Sequence, residues 1–97
     1  MKELLKNFDK AFENRTRLGI MSVLTINEYL DFNSLKELLG VTDGNLASHL
    51  KYLEKQKYLT YEKKFLNRKP NTNYSATNKG IKAFEKHITA IEQLVNK

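Results

Sequence analysis

The stretch Val41-Thr42-Asp43-Gly44-Asn45-Leu46-Ala47-Ser48-His49-Leu50-Lys51-Tyr52-Leu53, VTDGNLASHLKYL, opens with turn-forming residues and continues as an amphipathic helix. Thr42 is placed to cap it, and the pattern carries the helix to about Gln56. At about 100° per residue, Leu46, Leu50 and Leu53 fall within one narrow arc, while Asn45, Ser48, Lys51, Tyr52 and Lys55 project from the rest. Leucines on one side give the helix a core to pack on. The other side carries short polar groups, an imidazole and a phenol, where ordinary solubility would be served as well by charges.

Upstream, Gly40 is suited to a left-handed helix end, and Ser34-Leu35-Lys36-Glu37 reads as a capping box that starts a short helix. Two helices therefore meet across a three-residue turn containing glycine. Before them, Asn14 caps a longer helix whose Leu18, Met21, Val23, Leu24, Ile26, Tyr29 and Leu30 form a broad apolar surface. Lys2 to Phe12 reads as a first helix, with Leu4, Leu5, Phe8, Ala11 and Phe12 on one face. Downstream, Tyr58 to Leu66 is rich in aromatic and branched residues and reads as a strand. Asn67 to Asn71 reads as a turn holding the only proline, Pro70, and Asn73 to Ala76 as the return strand. Thr77 caps a last helix in which Ile81, Phe84, Ile88, Ile91 and Val95 step by three and four residues, a narrow seam of the kind that pairs helices. The order of elements, mainly α with a small β-hairpin, is that of a winged helix-turn-helix, about five helices plus a two-stranded wing in a single domain over 1–97.

Composition narrows the function. With 40% hydrophobic and 29% charged residues, the 97-residue chain belongs among folded domains rather than disordered ones. The absence of cysteine removes disulfides, thiolate metal sites and cysteine nucleophiles together. No segment reads as a signal peptide or a membrane span, so the expected location is the cytoplasm, at the nucleoid, without membrane contact. The formal charge of +6 is unevenly spread: residues 1–41 hold six basic and six acidic groups, residues 42–70 seven and three, and residues 71–97 four and two. The excess starts at the quoted helix, which suits a polyanionic partner.

With these landmarks placed, the chain resembles the MarR/ArsR-like winged-helix transcriptional regulators, most closely a small single-domain group of prokaryotic type. The resemblance rests on Val41 to Leu53 with Glu54, Tyr58 and Leu59, and later on Thr77, Gly80, Ala83 and Phe84. Lys57 departs from the pattern, which has glycine there. The resemblance implies sequence-specific binding of double-stranded DNA, the helix over 42–56 lying in a major groove and the wing over 58–76 on the minor groove and backbone. Thr42, Asp43, Gly44, Asn45, Ser48, His49, Lys51 and Tyr52 would then face the duplex. Slim hydrogen-bonding residues such as Asn45 and Ser48 allow a helix to approach base edges closely. Gly44 lets the backbone near a phosphate.

Each residue also has a plainer explanation. Asp43 accepts from a cytosine amino group or simply answers the helix dipole. His49 bonds DNA or packs beside the core, and Tyr52 reaches a phosphate or covers the hairpin. On the wing, Lys63, Lys64, Arg68, Lys69, Asn71 and Asn73 suit phosphates and a narrow minor groove, or guard exposed strand edges. Arg15, Arg17 and Ser34 are weaker candidates for backbone contacts. Leu4, Leu5, Phe8, Phe84, Ile88, Ile91 and Val95 either finish the domain's own core or join two copies, and the resemblance implies a homodimer through the terminal helices, 1–12 and 78–96.

No phosphate loop, nucleophile elbow or ligand cluster points to an enzyme. The two histidines lie on different helices without a thiol to assist, so neither a metal nor any other cofactor is expected. A small-molecule effector leaves no mark in the sequence. The rival reading is a winged-helix protein-interaction module that does not touch DNA.

Overall fold

The computed structural model describes residues 2–96; Met1 and Lys97 lie outside them. In chain order the elements are α1 (Lys2–Leu5), a 3-10 turn (Lys10–Phe12), α2 (Arg15–Ile26), β1 (Leu30–Asp31), α3 (Phe32–Leu39), α4 (Asp43–Lys55), β2 (Leu59–Leu66), β3 (Lys69–Ala76) and α5 (Asn78–Val95). β3 lies between β1 and β2 in an antiparallel sheet. Ile20, Met21 and Leu24 of α2, Leu35 of α3, Leu46, Leu50 and Leu53 of α4, and Leu59 of β2 form one buried cluster, which Ala11 and Phe12 close from the N-terminal side. The three leucines of the quoted helix are thus its inward arc, as their spacing requires.

Most caps act where the residues place them. Asn14 accepts from the backbone N–H groups of Thr16 and Arg17, Thr42 from that of Asn45, and Thr77 from that of Gly80. Gly40 ends α3 in the left-handed region, at φ 62°, a conformation glycine adopts without steric cost.

Four expectations fail, each for a local reason. The first helix does not run from Lys2 to Phe12, because Asp9 is extended there (φ −99°, ψ 124°) and caps the 3-10 turn through a bond from Ala11 N. α2 ends at Ile26 rather than continuing through Leu30, and Leu30–Asp31 instead pair with Tyr74 and Asn73 as a third strand. The capping box at Ser34 is not used: α3 begins a turn earlier, with Asp31 as the cap accepting from Ser34 N at 2.7 Å. The wing turn is only two residues long, Asn67 and Arg68 at φ 53° and 66°, the left-handed pair of a type I′ hairpin. Pro70 therefore sits inside β3, opposite Phe65. Counting from the closing pair Leu66 and Lys69, Pro70 occupies a non-hydrogen-bonded position, so its missing N–H faces the edge that β1 does not reach.

The N-terminal segment is held by polar bonds as well as packing. Asp9 N donates to His87 Nδ1 at 2.9 Å, and the Tyr58 hydroxyl donates to the Asp9 carboxylate. His87 is buried, with its ring near the edges of Phe8 and Phe12. Burial, followed by the Asp9 carboxylate, pushes the Tyr58 phenol up from the ordinary 10 to about 12. A raised phenol means that the fold favours the protonated form, so its contribution is complete below pH 10 and disappears as pH rises toward 12. Urea melts over this window should show wild-type stability falling faster than that of Tyr58→Phe. Parallel curves would remove Tyr58 from the alkaline transition.

Candidate nucleic-acid interface

α4 is fixed from beneath by its leucines and from the side by α2. Arg17 is the clamp: its Nε donates to Ala11 O at 2.7 Å, its Nη1 to His49 Nδ1 at 3.2 Å, and its guanidinium lies 3.9 Å from the centre of the Tyr52 ring. The cation–π contact and the bond to His49 join α2 to the middle of α4. Because arginine only donates, His49 Nδ1 must accept, which puts the ring proton on Nε2. Burial and then the Arg17 charge hold the His49 pKa below its ordinary value, so the ring is a neutral donor at neutral pH. His49 thus braces the helix through one nitrogen and has an N–H left on the other. Arg17 is half-buried and committed to these partners, whereas Arg15 is exposed, at the rim of a cleft of about 480 Å³ that it shares with Thr16 and the Leu38–Val41 turn.

The leading face of α4 is open. Thr42, Asp43, Gly44, Asn45, Ser48 and Lys51 are all exposed. Asn45 Oδ1 accepts from the Thr16 hydroxyl at 3.0 Å, and the Ser48 hydroxyl donates to Asn45 O at 3.2 Å. Asp43 is ion-paired with Lys36 at 2.7 Å, joining the two helices across their turn. With both partners well exposed, that pair contributes at most about 1 kcal/mol. Gly44 has open space where a Cβ would stand.

The wing supplies the second group of residues. All of Tyr61 to Pro70 is exposed. Lys64 pairs with Glu62 at 3.4 Å, while among the described residues Lys51, Lys63, Arg68 and Lys69 have no acidic partner. The I′ turn holds Arg68 at the very tip. Asn71 and Asn73 bond each other at 3.4 Å and, with Lys64 and Ser34, line a groove of about 410 Å³ between the wing and the start of α3. Ser34 therefore joins the wing residues rather than the recognition face. Sequence reading did not pick out Phe65 and Leu66, which stand 80% and 63% exposed beside the tip; alternation assigns one of two neighbouring strand residues inward, and here the sheet outruns the core.

The terminal-helix seam divides. The residues of α5 buried on the domain are Gly80, His87 and Ala90, not the isoleucines. Phe84 meets Phe12 edge-on at 5.5 Å, and Phe8 packs against His87. Ile81 and Ile88 line a groove of about 420 Å³ with Phe84 and Ile26, and Ile91 is half-buried. Val95 and Leu5 are 70% and 51% exposed, and Leu4 is half-buried.

Among the described residues there is no cluster able to hold a metal ion and no helix long and apolar enough to cross a membrane. Lys57 stands at φ 63°, the conformation for which glycine is the usual solution; a lysine there costs about 1 kcal/mol.

This helix, turn, helix and wing can be set beside known proteins. The chain is 41% identical over 85 residues to an uncharacterized protein of Methanocaldococcus jannaschii, covering 88% of this chain and 92% of that one. It superposes on the transcriptional regulator homologue from Pyrococcus horikoshii OT3 with a TM-score of 0.87 and 27% identity, over 98% of this chain and 92% of the other. MepR of S. aureus, solved as a DNA complex, shares the fold at a TM-score of 0.75 and 18% identity, over 96% and 79%. The family of winged helix DNA-binding domains matches residues 16–95, from the buried threonine under α4 to the end of α5, and it is to this family that the chain belongs.

Proposed function

We propose that the protein is a transcriptional regulator that binds double-stranded DNA sequence-specifically as a homodimer. α4 enters the major groove, with Asn45 and Ser48 at base edges and Gly44, Lys51, Tyr52 and the His49 Nε2–H toward sugar and phosphate. Thr42 and Asp43 lie at the entering end of the helix. Lys63, Lys64, Arg68, Lys69, Asn71 and Asn73 bring the wing onto the minor groove and backbone, with Arg15 and Ser34 as flanking contacts. Arg17 acts on DNA through the position of α4.

The observation that carries this reading is the division of α4. Its leucines are fully committed to the core, Arg17 and Thr16 hold its flank, and what it presents to solvent joins the slim, hydrogen-bonding Asn45 and Ser48 to the exposed Lys51 and Lys55. Such a surface suits a groove whose floor is a pattern of donors and acceptors and whose walls are phosphates. The unpaired lysines and Arg68 supply the sequence-independent attraction.

Salt titration against random duplex DNA tests it. For roughly 6–10 phosphate contacts, affinity should fall by about three to five decades between 50 and 200 mM salt. No binding even at the lowest salt would leave the fold as a protein-docking module instead.

A further inference from the structure

Behind the wing tip the two faces of the hairpin carry the same order of side chains. Successive strand residues point to opposite faces, so Phe65 and Lys63 share one face of β2, and Leu66 and Lys64 the other. Counted back from the turn, each face offers first a large apolar side chain and then, about 6.8 Å further along, a lysine. Arg68 stands beyond both, in the left-handed turn. The domain's own core does not account for the apolar pair: Phe65 and Leu66 lie in a stretch, Tyr61 to Pro70, in which every residue is exposed. Across the ladder Phe65 has Pro70 opposite it, and Leu66 has Lys69.

We propose that Phe65 and Leu66 form a wedge that enters a minor groove and spreads its walls, so that the wing selects deformable DNA. This rests on the DNA-binding reading above and deepens it. The order back from the tip matches the order met from floor to rim of a groove: base edges for Arg68, sugar rings for the apolar pair, phosphates for Lys63 and Lys64. Both members of the Lys64–Glu62 pair are exposed, so that contact is weak enough to yield to a phosphate. Phenylalanine and leucine are among the side chains that serve as wedges in minor grooves. Charge commits the pair to nucleic acid. Lys63, Arg68 and Lys69 surround it without acidic partners among the described residues, and a second copy of the chain would bring these cations against their like. A hairpin with side chains on both faces is about 10 Å thick, against a minor groove about 6 Å wide. Entry therefore opens the groove, and the deformation energy is low for flexible pyrimidine–purine steps and high for stiff A-tracts. A wing that inserted Arg68 alone would prefer the A-tract, where the narrow groove is more electronegative.

The test measures the full chain against two duplexes that carry the same half-site, enriched from a random library, with the flanking base pairs written as TA and CA steps in one and as an A-tract in the other. Wild type should bind the flexible flank about tenfold more tightly. The double variant Phe65→Ala with Leu66→Ala should lose about tenfold on the flexible flank and little on the A-tract, so that the preference vanishes. Its salt slope should equal that of wild type, because an apolar contact releases no counterions. Phe65→Leu, which keeps an apolar side chain, should retain most of the preference. Both residues are exposed, so these variants keep the fold. A wild type that favours the A-tract or ignores the flank overturns the wedge, as does a double variant that weakens both duplexes equally or keeps the wild-type preference. A double variant that sediments as a monomer where wild type is dimeric would give the surface to a second copy instead. A wild type that enriches no half-site overturns sequence-specific DNA binding itself, which the salt titration distinguishes from failure of the wedge.

Discussion

Gly80→Ala is expected to lower the unfolding free energy by about 3 kcal/mol, which for a domain of this size is a fall in Tm of roughly 12–24 °C. Helix propensity argues the other way, since alanine is better than glycine in a helix by about 1 kcal/mol. Sterics decide the outcome. A Cβ at Gly80 would stand 2.0 Å from Tyr58 O and 2.9 Å from Tyr58 Cα, backbone atoms that no rotamer change can move. That carbonyl also accepts from Thr77 N, so displacing it breaks the bond that enters α5. The helix must shift outward from β2, disturbing the stacking of Phe12 on Tyr58 and the edge contact of Phe12 with Phe84. Gly44→Ala is the control, because nothing lies within 4 Å of its Cβ. It should leave the free protein unchanged or more stable by somewhat under 1 kcal/mol. If urea melts of Gly80→Ala matched wild type, the close approach of α5 to the strand entrance would be wrong.

Ile88→Asp carries the largest expected effect on binding. Ile88 is half-buried in the isolated protomer and shares its groove with Ile26, which is 81% exposed. Two apolar residues on an open groove, with Val95 exposed two turns further along the same face of α5, give a second copy of the chain a surface to cover. A carboxylate introduced there meets water in the monomer and a dry seam in the dimer, so it acts on assembly and spares the fold. Sedimentation should show a dimer for wild type and a monomer for the variant. Affinity for a duplex with two half-sites should drop by about two to four decades, the loss expected when the second binding event is no longer tethered to the first. Affinity for a single half-site should barely change. A variant that remains dimeric would place the interface elsewhere.

The course of the backbone was mostly legible because caps and apolar spacing are local. Asn14, Thr42, Thr77 and Gly40 each act within four residues of their own position, and so sequence alone places them. What sequence misplaces depends on partners far along the chain. The break after Leu5 follows from a bond between Asp9 and His87, seventy-eight residues apart. β1 is only two residues long and exists because β3 offers it an edge. The wing turn looked longer than it is because proline usually marks turns, and only the strand register shows that Pro70 needs no donor.

The site divides in the same way. The exposed polar face of α4 and the basic wing follow from periodicity and charge, since both are properties of contiguous residues. His49 could not be assigned from sequence, because its role depends on Arg17 reaching across from α2. Thr16 gave no signal at all: a threonine in the first turn of a helix reads as ordinary helix-start chemistry, and nothing nearby in sequence connects it to Asn45. The left-handed Lys57 was visible only as a departure from a glycine in the family pattern, and the backbone angle supplies the reason.

The central claim is that α4 reads sequence while the wing anchors, and the most direct measurement compares two pairs of variants on one selected duplex and one scrambled duplex across a salt series. Asn45→Ala and Ser48→Ala should shrink the preference for the selected duplex and leave the salt slope unchanged. Arg68→Ala and Lys69→Ala should weaken both duplexes about equally and reduce the slope by about one phosphate contact each. If all four variants altered preference and slope alike, the division of labour between helix and wing would be contradicted.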